Sequence, residues 1–162
     1  MGAAHLILIV SHLSAATLAF ILGIALCARL PGSAKSVSFR AYAVSVWLAM
    51  LCLVTVVILD WPRLNLTRHI AFSVLGVLGV YLIWRTERAR RQLRDQRPGW
   101  RLSFVSHIGF VLISLFDGFC IVLAIDLLMP AWVVITVAVL GVAVGIIALR
   151  ARAKTIRAVE AA

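Results

Sequence analysis

Ionisable side chains inside apolar stretches are where this chain could do chemistry, because each is costly there and tends to face protein or water. Two stand out by depth: Asp117 within the apolar segment 102–129, and His12 within the segment 6–30. On a helix, Ser103, Ser106, His107, Ser114, Asp117 and Gly118 fall within an arc of about 120°, while Phe, Val, Leu and Ile fill the rest of that segment. His5, His12, Ala16, Ala19 and Gly23 lie within roughly 40° of one line on the first segment. At 1.5 Å per residue, His12 is about 10 Å inward from His5 and Asp117 about 13 Å inward from Asp126, so the two share a level. A carboxylate at that depth needs a partner or a proton. His12, Asp117 and Ser114 therefore form the candidate intramembrane polar cluster, suited to proton exchange. The alternative is a protonated Asp117 bonded to serines or a backbone carbonyl, beside a neutral His12.

A second set sits at the segment ends. His5, Asp60, His69 and Asp126 gather at one level, and their residue types suit Zn or Cu. His5 and His69 there are the pair that two axial ligands of a b-type haem would need. No spacing motif joins the four. His107 lies about 28 Å from the level of Asp126, so it belongs to the other boundary, near headgroups and Trp100. Gly141 and Gly145, flanked by Ala138 and Ala148, form a close-packing face for use within the bundle or between subunits. Cys27, Cys52 and Cys120 have neither pairing nor metal spacing and read as apolar packing. There is no Gly-rich phosphate loop, no G-x-S-x-G and no H-E-x-x-H, and one helix cannot give its own Ser/His/Asp stripe triad geometry.

The elements that position these residues follow from composition. Of 162 residues, 64% are apolar and 14% charged, which excludes an ordinary soluble domain and a disordered chain alike. Five apolar segments, 6–30, 41–61, 70–84, 102–129 and 131–149, are near or above the length of a bilayer crossing. None alternates as a barrel strand does, so the class is an all-α transmembrane bundle. The net charge of +10 then has a cause. Fourteen of the sixteen Lys and Arg residues fall on one side of the five segments, leaving only Arg63 and Arg68 on the other. The positive-inside rule places the N-terminus outside and the C-terminus in the cytoplasm. Trp61 and Trp132 mark one boundary, Trp84 and Trp100 the other. The first segment lacks a basic leader and a clear cleavage site, and reads as a retained helix.

The tract 85–101 carries seven arginines. It continues the third segment as a helix to Gln96, and Pro98-Gly99 then breaks it. It reads as a topology anchor and solvated cap, with contact to anionic lipid or a partner protein as the functional alternative. Orientation already explains the positive charge, so nucleic acid is not called for.

Arg97-Pro98-Gly99-Trp100, His107 and the stripe from Ser114 to Gly118 together resemble a family of small multi-spanning bacterial membrane proteins of unknown function. The resemblance implies a shared helical bundle and supplies no activity, substrate or catalytic residue. The expected protein is a multi-pass component of a bacterial inner membrane, an accessory or structural subunit of a larger complex or homo-oligomer. Proton-coupled or small-solute transport is one alternative, requiring a homo-oligomer sealed by the fifth segment. A haem-binding anchor in electron transfer is the other.

Overall fold

A computed structural model describes residues 3–30, 32–33 and 35–161. The chain forms five long helices: α1 (Ala3–Arg29), α2 (Val37–Asp60), α3 (Leu66–Asp95), α4 (Trp100–Asp126) and α5 (Ala131–Ala161). A single 3₁₀ turn, Trp61–Arg63, follows α2. Each of the five is long and apolar enough to cross a membrane. The chain is a small multi-pass membrane protein.

Local chemistry sets the helix ends. Ser36 caps α2 by accepting from the Phe39 N–H at 3.2 Å, and Asn65 caps α3 by accepting from the Arg68 N–H at 2.9 Å. Gln96 ends α3 in the left-handed region, its N–H reaching the Gln92 carbonyl at 3.0 Å. Gly99, at φ +77, then makes the reversal into α4, a conformation that a side chain resists.

Helices α1 to α4 close a ring, each packing on its chain neighbours and α4 returning to α1. Helix α5 docks on the outside of α4. The end of the bundle where α1, α3 and α5 finish is called here the basic end. Two helices run well past their apolar segments: α3 has 30 residues and α5 has 31, or about 45 Å each against a hydrocarbon core of about 30 Å.

Burial is concentrated at that end. The largest fully buried side chains include Phe39, Tyr42 and Val46 of α2, Thr86 and Leu93 of α3, and Phe104, Ile108 and Val111 of α4. Toward the opposite end, beyond Ala15 on α1, Cys52 on α2 and Gly79 on α3, no described residue of those helices is buried. For the part of the core outside the apolar segments, the physical reason is the solvent. Lipid tails are as apolar as leucine, so helices inside the bilayer gain little by hiding apolar side chains from it. Where α3 runs on past its apolar segment, beyond residue 84, the hydrophobic effect acts in full on Ala89 and Leu93.

The tract 85–101 is not only a solvated cap, because Thr86, Ala89 and Leu93 form a buried stripe facing α2 and α4 residues of the core, while Arg88, Arg90, Arg91 and Arg94 point outward. The spacing of three and four residues is that of an amphipathic helix.

Candidate functional site

Asp117 is buried in α4, with 8% of its surface exposed, and its Oδ1 has no hydrogen-bond partner. It lies against the backbone of Gly141 on α5, where a Cβ would collide with Oδ1. Gly145, one turn along, takes the side chain of Ile113 in the same way, and Gly109 of α4 takes Leu149. The glycine pair therefore locks α5 to α4 within one chain. Within the chain the stripe serves as a close-packing face between α4 and α5.

His12 turns to a different neighbour. Its Nδ1 lies 2.8 Å from the Ala49 carbonyl oxygen, so Nδ1–H donates across to α2. No hydrogen bond joins His12, Ser114 and Asp117 among the described residues. Depth brought His12 and Asp117 to one level in the sequence, yet one serves the α1–α2 seam and the other the α4–α5 seam. The expected cluster is thus divided between two seams, with Ser114 half-buried one turn before Asp117.

The end-of-segment residues also separate. His5 faces Asp60 at 3.5 Å, and Arg68 pairs with Asp126 at 3.3 Å. The His69 Nε2 donates to the Trp61 carbonyl at 3.0 Å, with the two rings edge-on at 4.5 Å. No group of three or more His, Cys, Asp or Glu side chains converges among the described residues. The four donors do not fit one metal centre, and the nitrogens of His5 and His69 are directed to different partners instead of a shared haem.

Two arginine contacts have no signature in the residue pattern. Arg152 of α5 donates from Nε to the Cys27 carbonyl at 3.0 Å and from Nη2 to the Ala28 carbonyl at 2.8 Å. It thereby satisfies carbonyls that the end of α1 leaves without intrahelical partners. Arg85 of α3 donates from Nη2 to the Ser106 carbonyl at 2.7 Å and lies over the Phe110 ring at 4.8 Å. Nothing in a run of basic residues distinguishes an arginine that ties helices from one that faces water. His107 sits beside this contact, edge-on to Trp84 at 6.4 Å, its Nδ1 buried and without a partner.

Two small cavities lie away from Asp117 and His12. One of about 220 Å³ opens between α4 and α5 at the basic end, lined by Leu102, Val105, Ser106, Ile146, Leu149 and Arg150. The other, about 140 Å³, is an apolar groove between α2 and α3 beside Trp47, Met50 and Gly76. Both are below the range of roughly 300–1,000 Å³ common for small-molecule sites. Compared with family models, curated proteins and solved structures, the chain has no match.

Proposed function

We propose that the chain is an accessory or structural subunit of a larger membrane assembly or homo-oligomer, oriented with its N-terminus outside and its C-terminus in the cytoplasm of a bacterial cell. One observation carries this reading: polar groups within the bundle are used as ties between or along helices. His12 holds α2 through Ala49, Arg152 holds the end of α1, and Thr86 returns its hydroxyl to the Leu82 carbonyl of its own helix. A site built for turnover would gather such groups on a cavity, and here His12, Arg152 and Thr86 each end on a separate backbone carbonyl. The test is native electrophoresis of mildly solubilised native membranes carrying a tagged chain. The expected band is larger than a single chain with its bound detergent, whether from partner proteins or from further copies of the chain; migration as a monomer overturns the reading.

A second reading, proton-coupled transport, is favoured by one residue. Asp117 is a buried carboxyl with an unpartnered oxygen, an arrangement that suits a group exchanging a proton within the membrane. Proton flux in liposomes holding the purified chain separates the two. The accessory reading expects the rate of protein-free vesicles; flux that Asp117→Asn abolishes establishes transport instead.

A further inference from the structure

We propose that the basic end carries a specific site for the phosphodiester of an anionic phospholipid headgroup, formed by Arg85 and Arg88 on an aromatic platform of Tyr81, Trp84 and Phe110. The platform is continuous. Tyr81 stacks on Trp84 at 5.3 Å and meets Phe110 edge-on at 5.1 Å. The Arg85 guanidinium lies over Phe110 at 4.8 Å and Tyr81 at 5.9 Å, and Arg88 lies over Trp84 at 5.1 Å. Arg85 and Arg88 are one turn apart on α3, so their side chains emerge on the same face. Both guanidinium groups are held in place before any ligand arrives, Arg85 by its bond to the Ser106 carbonyl as well.

Charge and level identify the occupant. Neither arginine has a carboxylate partner among the described residues, since the nearby Glu87 pairs with Arg90 at 3.3 Å. Of the fourteen basic residues on this side, only Glu87, Asp95 and Glu160 offset any in the sequence. Trp84 and Tyr81 are 45% and 40% exposed and stand where the apolar part of α3 ends, the level at which aromatic side chains meet headgroups. Two fixed planar cations at that level match a phosphate bidentately. A zwitterionic headgroup brings its own cation to the same place, so the site prefers lipids with net negative charge. This narrows the general basic attraction of the 85–101 tract to two residues with a defined geometry, and it does not depend on whether the chain is an accessory subunit or a transporter.

The experiment measures lipid binding to the purified, detergent-solubilised full chain by native mass spectrometry, with phosphatidylglycerol, phosphatidylcholine or inorganic phosphate as the added probe. Wild type is expected to bind phosphatidylglycerol well above phosphatidylcholine, and inorganic phosphate is not expected to compete. Arg88→Gln alone, a change at an exposed residue, should weaken phosphatidylglycerol about five-fold, and Arg85→Gln with Arg88→Gln about twenty-five-fold. Arg90→Gln with Arg91→Gln, which removes the same charge from elsewhere on α3, should leave affinity within two-fold (about 0.4 kcal/mol). Three results overturn the proposal: equal binding of the two lipids, equal loss in the Arg90/Arg91 pair, or full competition by inorganic phosphate, which would mark a free-anion site. If the double variant does not fold, the Arg88→Gln result alone decides.

Discussion

The carboxyl oxygen Oδ1 of Asp117 lies in the space that a side chain at Gly141 would fill. This relationship joins the most deeply placed carboxyl of α4 to the small-residue face of α5, so each explains the other. Gly141→Ala is expected to lower stability by about 1–3 kcal/mol through overpacking. In an Asp117→Ala background the same change should cost much less, giving a coupling on the order of 0.5–3 kcal/mol. Thermal unfolding of the four proteins in detergent checks the cycle, and additive effects would place Asp117 away from Gly141.

Leu93 lies outside the apolar part of α3 yet is 1% exposed. Leu93→Ala should destabilise the bundle by about 2–5 kcal/mol, as for a soluble core. Val80→Ala, at a site 70% exposed on the same helix, should have little effect in the same assay. A neutral Leu93→Ala would mean that the stripe of α3 beyond residue 84 is not a water-driven core.

Arg152 is the cap of another helix. Its loss in Arg152→Gln leaves the Cys27 and Ala28 carbonyls without their donor, at a cost of about 1–3 kcal/mol. The end of α1 should then fray, and maleimide should modify Cys27 faster than in wild type. Cys52, buried on α2, is the internal control and should keep its rate.

Orientation is open to a direct measurement. With Lys35→Cys and Arg63→Cys as separate probes, a membrane-impermeant maleimide applied to intact cells should label position 63 and spare position 35. The reverse pattern inverts the proposed topology.

Five helices are legible in the sequence because apolar length is a direct statement about the bilayer. Their ends are less so. The third segment reads as 70–84, while α3 runs over Leu66–Asp95, because arginine density between Arg85 and Arg94 hides the buried stripe of Thr86, Ala89 and Leu93. The site shows a different limit. Residue counting gives depth along a helix but not which neighbour a face meets, so His12 and Asp117 shared a level and still parted, one to Ala49 and one to Gly141. Gly141 and Gly145 announce close packing by type alone. Their partner becomes visible only when the space beside each glycine is measured.

The concentration of large buried side chains at the basic end has a mechanical consequence. The helices are bound together in the half of the bundle toward the basic end and more lightly held at their far tips, like stems tied near the base. A membrane that thins or thickens imposes its mismatch on tilt, and in this protein the tips can spread while the tied collar keeps its shape. Changes in bilayer thickness would therefore be felt at the His5–Asp60 and Arg68–Asp126 contacts first, and the water-facing surface that a partner could grip would stay constant.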